Sequence, residues 1–170
     1  MKKIPLLFLA ILCHVMLYSK SKENDPIFID SSVSELKVNS ASINPKVFHL
    51  FSHGRSGELF IDNRWMNAVE IAEKFKNEIE DKKELYIYGC NFAKGEKGLQ
   101  AVAYLEKKLN ISISASNNIT GIDGDWTLEV GSGKHSLAIN NFKGNLQLDN
   151  THYLNPIVAG AYTASTITEE

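Results

Sequence analysis

The sequence has few cysteines, no basic cluster and little extended apolar sequence, and each shortage narrows the class of protein. Its two cysteines are Cys13 and Cys90, so the chain has no internal disulfide if the first leaves with a leader peptide. The net charge is −2 with no basic block, which argues against a nucleic-acid partner. No G-x-G-x-x-G or Walker loop is present, so the residues indicate no nucleotide site and no cofactor.

The one long apolar stretch lies at the N-terminus. Two lysines precede the mostly apolar residues 4–18, and the polar run SKSKENDP follows. This pattern predicts a secretory signal peptide over residues 1–21, cut near Ser19 or Ser21. A lipid anchor on Cys13 and an uncleaved anchor helix are the alternatives. We therefore expect a secreted or cell-surface protein.

Removal of the leader leaves Cys90 as a lone thiol in an oxidising compartment. Such a thiol is paired with another molecule, buried and inert, or reactive. The inert reading is common, because a free cysteine packs well as a small hydrophobe. Its position after an apolar run and Gly89 favours the reactive reading.

Alternation of apolar runs with helical periodicity predicts the fold. Short apolar runs bounded by glycine or polar residues predict strands at 47–52, 85–89 and 111–115. Helical apolar stripes predict helices near 67–81 and 97–109. A strand–helix–strand crossover makes neighbouring strands parallel, so the sequence predicts an α/β three-layer sandwich with a mostly parallel sheet.

Each predicted helix has a stripe expected to face the core. Asn67 caps the first helix, with Glu70 as its capping-box partner. The first stripe is Met66, Val69, Ala72, Phe75 and Ile79, and the second is Leu99, Val102, Ala103, Leu105 and Leu109.

The remaining segments set the expected domain limits. A strand at 27–29 begins the domain, and a hairpin arm at 57–62 crosses the sheet edge. We assign residues 25–144 to the α/β domain. The Asn- and Thr-rich stretch 145–170 is read as a linker or the start of a truncated following region.

Two chemically active side chains follow neighbouring predicted strands. His53 ends the run VFHLFSH and Cys90 ends the run ELYIYGC. Reactive groups of parallel sheets gather just past the carboxyl ends of the strands, so the imidazole and the thiol should meet there within reach of a hydrogen bond or one water, with the thiol at least partly open to solvent. A thiol beside an imidazole suits acyl transfer from a peptide, and N–H groups at Gly54 and Cys90 can bind the oxyanion.

The sequence also suggests other roles for the histidines and the cysteine. His49 and His53 lie four apart on a strand, about 13 Å from one another, so they cannot share one metal ion. No H-E-x-x-H is present, and no metal is predicted. For either His53 or Cys90 alone, a core histidine or an inert cysteine is the favoured reading. For the pair, the functional and the inert readings both stay open.

Three blocks of the sequence carry a family resemblance. HLFSHGRSGELFI, LYIYGCNFAKGEKG and SASNNITGIDGDWTLE resemble, in this order, the DUF4347 family of bacterial secreted or surface domains. More distantly, the apolar strands ending in His-Gly and Gly-Cys are similar to the caspase, gingipain and legumain cysteine peptidases. That similarity implies a caspase-like fold with His53 as general acid, Cys90 as nucleophile and Gly54 as an oxyanion contributor.

Three functions follow as expectations. The first is a secreted caspase-like cysteine peptidase, which would act on a polypeptide substrate or on its own C-terminal region. The others are a non-catalytic surface module and a thiol-dependent transferase. The turn-rich loop after the third strand predicts that Asp123, Asp125 and Trp126 lie at the active edge or support it. The competing reading makes Trp126 a core residue and the aspartates turn formers.

Overall fold

The structure, a computed structural model, describes residues 25–131, 135–139 and 141–148. The predicted signal peptide and residues 149–170 lie outside the described residues. Among the described residues, no helix is long and apolar enough to span a membrane.

A four-stranded parallel sheet forms the centre of the fold, as predicted. Its strands are β1 (Ile27–Ile29), β2 (Val47–Phe51), β6 (Glu84–Tyr88) and β7 (Ser112–Ala115), in the order β1-β2-β6-β7 across the sheet. Every neighbouring pair is parallel. The strands are short and mostly apolar, as is typical of a sheet covered on both faces.

The part of the chain between β2 and the first helix forms a second sheet, which is antiparallel. It consists of β3 (His53–Arg55), β4 (Glu58–Ile61) and β5 (Arg64–Asn67). The predicted hairpin arm at 57–62 corresponds to β4, whereas sequence reasoning missed β5. Asp62 and Asn63 join β4 to β5 with positive φ values of 51° and 62°, the left-handed pair that tight hairpins require.

The first predicted helix is divided in two at Phe75. Helix α1 covers Ala68–Lys74 and α2 covers Lys76–Ile79. Asn67 and Glu70 form the predicted capping box. Helix α3 covers Gly95–Leu109 and follows the predicted second helix.

The predicted helical stripes need three corrections. Val69 and Leu99 are about half exposed, and Ala103 is exposed as well. Gly98 and Ala101 face the core instead, because α3 approaches the preceding loop closely at its start. A Cβ on Gly98 would lie 2.8 Å from the Cα of Ala93, so that close approach centres the buried face on Gly98.

The two faces of the parallel sheet carry different layers. On one face, the helices and the second sheet pack against alternate strand residues, among them Leu50, Ile87 and Ile113. On the other face, Phe51 and Tyr88 pack against residues of irregular segments. These are chiefly Val33 and Leu36 near the N-terminus and Leu128 and Leu146 near the end of the described chain.

The packed structure continues past the expected domain limit at residue 144. Leu146 has no exposed surface and belongs to the core cluster of the second face. Residues 145–148 are therefore part of the domain rather than a linker.

Candidate active site

The two predicted functional residues leave the same edge of the parallel sheet. β2 ends at Phe51 and β6 at Tyr88, and these two residues are partners in adjacent parallel strands. His53 and Cys90 each follow two residues later. The sequence therefore delivers both residues to one end of the sheet, as parallel pairing requires.

Glycines let the two backbones touch at this edge. A Cβ on Gly54 would lie 2.5 Å from the carbonyl carbon of Gly89 and 2.7 Å from the carbonyl oxygen of Cys90. Any side chain at residue 54 would therefore separate the segments that carry His53 and Cys90. The hydrogen bond from Gly57 N–H to the Phe92 carbonyl, 2.8 Å long, also ties the hairpin to the loop after Cys90.

The backbone N–H groups of Gly54 and Cys90 converge on one oxygen atom. Both donate to the carbonyl oxygen of Leu146, at 2.9 Å and 3.3 Å. These are the two N–H groups that the sequence predicts as oxyanion donors. Their acceptor belongs to the chain's own C-terminal segment, defined here as residues 144–148.

The C-terminal segment is held in an extended, antiparallel arrangement. Leu146 N–H donates to the Thr120 carbonyl at 2.8 Å, and Ile122 N–H donates to the Gly144 carbonyl at 3.0 Å. Gly121 and Asn145 form an antiparallel bridge between these two bonds. Peptides that add to a strand of their receptor use the same pattern of main-chain bonds.

The thiol of Cys90 is enclosed. Its residue has no exposed surface, so the expectation of a partly open thiol is wrong. The thiol donates to the Thr120 carbonyl at 3.4 Å, and its sulfur accepts from Thr120 N–H at 3.1 Å. Burial raises the pKa of the Cys90 thiol to about 11, although hydrogen bonds from Thr120 and Leu146 act in the opposite direction. The enclosing contacts come from residues 120 and 146, which local sequence around the cysteine does not reveal.

His53 is half-buried and opens onto a cleft. The cleft has a volume of about 640 Å³ and is lined by His53, Phe60, Asn145 and Gln147, among others. The hydroxyl of the preceding residue, Ser52, is fully buried and donates to the Phe60 carbonyl. This bond fixes the backbone directly before His53. His53 thus shares this cleft with residues on both sides of Leu146.

The loop after β7 lies at the same edge of the sheet. Asn91 N–H donates to the Asn118 carbonyl at 2.7 Å, and Ala93 N–H donates to the Ser116 carbonyl at 2.8 Å. The loop is therefore anchored to the segment that follows Cys90. It places Thr120 against the thiol.

The three predicted loop residues have different roles. Asp123 accepts from the side-chain amide of Asn145 at 2.6 Å and donates from its N–H to the Asn145 side-chain oxygen at 3.0 Å. Asp125 accepts from Thr127 N–H at 2.8 Å within a turn. Trp126 packs against rings of the second core face, those of Phe51, Tyr88 and Phe142. Of the three, Asp123 hydrogen-bonds to the C-terminal segment through its side chain.

Sequence reasoning missed Thr120 and Leu146 as parts of this site. The alternation of Leu146 and Leu148 with polar residues, just after Gly144, is the pattern of a short half-buried extended segment. That signal is weak in five residues, and nothing local connects it to the cysteine. Within the described ranges, no group of three or more His, Cys, Asp or Glu residues can hold a metal ion.

Comparisons with known proteins place the chain in a family without an assigned role. Residues 33–148 match the family model described as a domain of unknown function, DUF4347. The chain is also similar to an acetylglutamate kinase from Prochlorococcus marinus, with 29% identity over 129 residues. That alignment covers 74% of this chain but 39% of the kinase, so it spans well under half of that relative. No solved structure matches the chain.

Proposed function

The chain belongs to the DUF4347 family, and from that premise we propose that this domain is a cysteine peptidase of caspase-like arrangement. Cys90 is its nucleophile and His53 its proton carrier. The N–H groups of Gly54 and Cys90 bind the oxyanion. This function accounts for a feature that packing alone does not require, two N–H groups from the segments that carry the histidine and the cysteine, both aimed at one carbonyl.

One observation carries the proposal. The N–H groups of Gly54 and Cys90 both bond to the Leu146 carbonyl oxygen, at 2.9 Å and 3.3 Å. Two fixed donors on one carbonyl oxygen are what acyl transfer needs, since negative charge develops on that oxygen in the transition state. Removing one such donor from a peptidase costs a factor of about 10²–10³ in kcat.

The elements on either side of the carbonyl suit the other roles. Cys90 supplies both a donor and the attacking sulfur, so the nucleophile lies next to the carbonyl that it polarises. His53 directly precedes the second donor, Gly54, and lines the cleft that Gln147 also lines. A proton taken from the thiol can therefore be returned to the leaving amine on the cleft side.

The raised pKa of the Cys90 thiol decides how the attack begins. With a pKa of about 11, the resting thiol is neutral at physiological pH. The proton must therefore leave as the sulfur attacks, with His53 as general base, rather than beforehand. This differs from peptidases whose cysteine is already a thiolate beside an imidazolium.

A peptidyl chloromethyl ketone carrying Gly-Asn-Leu tests the proposal, because its sequence copies residues 144–146. We expect it to alkylate Cys90 much faster than it alkylates free cysteine once Asn145→Ala has released the covering segment from Asp123, and His53→Ala should remove most of that advantage. His135→Gln is the matched control, since His135 contacts Tyr86 rather than the site. Labelling at the free-cysteine rate, unchanged by His53→Ala, would reject the peptidase.

A non-catalytic surface module is the second candidate. The observation in its favour is the full burial of Cys90, which is also how an inert core cysteine is placed. In this reading, residues 144–148 simply complete the core, and His53→Ala has no effect on the reactivity of Cys90. The labelling experiment therefore separates the two candidates directly.

We also propose export as the setting of either function. The lysine-led apolar stretch of residues 1–21 supports a secretory signal peptide, and a single remaining cysteine suits an oxidising compartment. The partner would be a polypeptide. Fusion of residues 1–21 to a reporter that is active only after export tests this, and reporter activity retained without those residues would reject it.

A further inference from the structure

We propose that the substrate is the chain's own peptide bond between Leu146 and Gln147, so that the domain cleaves itself at this bond. This inference rests on the proposed peptidase function and names the bond on which it acts. It comes from the contacts that surround Leu146, a residue outside the predicted site.

The carbonyl of Leu146 occupies the position of the reacting group. Its oxygen is bound by both proposed oxyanion donors. Its residue and the nucleophile are also held by a common partner, because the Thr120 carbonyl accepts from the Cys90 thiol at 3.4 Å and from Leu146 N–H at 2.8 Å. The sulfur and the Leu146 backbone therefore lie side by side.

The side chain of Leu146 fills an enclosed pocket. It has no exposed surface and packs in the cluster that contains Phe51, Tyr88 and Leu128. Peptidases use such a pocket to fix the residue whose carbonyl is attacked, because burying a leucine side chain contributes favourably to binding. The pocket is apolar, and so the bond attacked follows an apolar residue.

The residues before Leu146 are bound in an extended conformation. Gly144 and Asn145 pair with residues 121–122 as an added antiparallel strand. Asp123 also holds the Asn145 side chain at both its amide nitrogen and its oxygen. The recognised sequence is therefore Gly-Asn-Leu, with main-chain bonds giving affinity and the residue-145 and residue-146 side chains giving specificity.

The leaving side of the bond opens onto the cleft that holds the histidine. Gln147 lines this cleft with His53, as do Gly144 and Asn145 before Leu146. The amine released at residue 147 thus forms in a cleft that contains a group able to donate a proton. Water can reach the acyl group from the same cleft once that amine departs.

The reaction balances with water as the only co-reactant. Cys90 sulfur bonds to the Leu146 carbonyl carbon, and its proton passes to His53. The bond from that carbon to the Gln147 nitrogen then breaks, and His53 donates the proton to the amine. Water next attacks the thioester through His53, which yields a carboxyl group on Leu146 and restores the thiol.

The test is the mass of the full chain after folding, measured on wild type and four variants. We expect wild type to separate between residues 146 and 147, and Gln147→Ala to do the same. Cys90→Ala and His53→Ala should remain whole. Gln147→Pro should also remain whole or react far more slowly, since a tertiary amide follows Leu146 while Cys90, His53 and Leu146 are kept, and Gln147→Ala controls for the lost glutamine side chain. Intact-mass spectrometry reads all five, including a released fragment whose N-terminal glutamine has cyclised with loss of ammonia.

The outcomes separate this inference from the proposed function. Cleavage at residue 146 that needs Cys90 and His53 supports both. If the wild-type chain stays whole but Gly-Asn-Leu chloromethyl ketone labels Cys90 in a His53-dependent way, either in wild type or in Asn145→Ala, self-cleavage is overturned and the peptidase proposal stands. Cleavage at another bond does the same. A whole chain with no His53-dependent labelling in either protein overturns both.

Discussion

Asp123 and Asn145 are joined by two hydrogen bonds that use both ends of the asparagine amide. The carboxylate of Asp123 accepts from the side-chain nitrogen, and its N–H donates to the side-chain oxygen. Twenty-two positions separate them in the sequence. This pair fastens the C-terminal segment one residue before the carbonyl that the two N–H groups bind.

Loss of the Asp123 carboxylate should loosen the C-terminal segment alone. Asp123→Ala removes one charge-assisted hydrogen bond, worth about 1.5 kcal/mol, which is a roughly tenfold change in a local opening equilibrium. Amide hydrogen exchange at Leu146 and Ile122 should speed up by about that factor, with no change in β2 and β6. Asp62→Ala, which removes an ion pair with Lys74, is the control and should leave both amides unchanged. Equal acceleration in both variants would contradict the role of Asp123.

Residue 54 should accept no side chain. In Gly54→Ala the new methyl group would meet the backbone at Gly89 and Cys90, which cannot move as a flexible side chain does. We expect a loss of about 1–3 kcal/mol or more in the free energy of unfolding, measured in urea, and loss of His53-dependent reactivity at Cys90. Gly95→Ala is the control: Gly95 has a positive φ of 66° but no atom within 4 Å of a Cβ, so its cost is limited to backbone strain of about 1–2 kcal/mol and the reactivity of Cys90 should not change. Similar losses in both would argue against close contact at Gly54.

The reactivity of Cys90 toward iodoacetamide should depend on Leu146. Leu146→Ala and Leu128→Ala each empty a fully buried leucine site of the same cluster and should cost about 2–5 kcal/mol of stability. Only Leu146→Ala is expected to speed alkylation of Cys90 more than tenfold beyond its effect on global unfolding, since the buried Leu146 side chain holds in place the backbone whose carbonyl binds Cys90 N–H. Equal rates in the two variants would mean that Leu146 does not restrict access.

The same thiol should titrate late. Because burial raises the pKa of Cys90 to about 11, its alkylation rate should keep rising about tenfold per pH unit through pH 10. A thiol at the ordinary value of 9.0 levels off above that pH. Stopped-time alkylation read by mass spectrometry measures this, and a plateau near pH 9 would be inconsistent with the closed site.

His49 should make stability depend on pH. It is buried among aromatic rings, and burial, with the charge of His135 adding to it, lowers its pKa from 6.5 to about 4. A lowered histidine pKa means that the unfolded chain binds more protons between pH 4 and 6.5. The stabilisation that comes from keeping His49 neutral is therefore complete above pH 6.5. As pH falls toward 4, it is lost, and the free energy of unfolding decreases by about 3 kcal/mol in total. Unfolding midpoints of wild type and His49→Leu over this range test it, and parallel curves would contradict it.

The parallel sheet and the position of residues 53 and 90 at the same edge could be predicted because each follows from local patterns. An apolar run that ends in His-Gly or Gly-Cys predicts both a strand and the residue that follows it. The crossover rule then brings the ends together. The division of the first helix at Phe75, and the exposure of Val69 and Leu99, depend on packing partners that periodicity does not specify.

The closing of the site could not be predicted for the same reason. Leu146 lies 56 positions beyond Cys90 and Thr120 lies 30 beyond it, and their contacts with the thiol and its N–H are long-range. Composition favoured a linker after residue 144, whereas one leucine side chain buried against Phe51 and Tyr88 is enough to fix that stretch. A polar stretch can thus be held by a single apolar residue and main-chain bonds.

The double use of Leu146 links occupancy of the cleft to the stability of the whole fold. A peptide bound in trans must replace Leu146, so it must give the core a side chain as well as give the two N–H groups a carbonyl. Such a peptide would act as the missing fragment of a split protein. A chain weakened at residue 146 should accordingly gain stability by RT ln(1 + [L]/Kd) from a free Gly-Asn-Leu peptide, so that its melting temperature reports binding without any turnover.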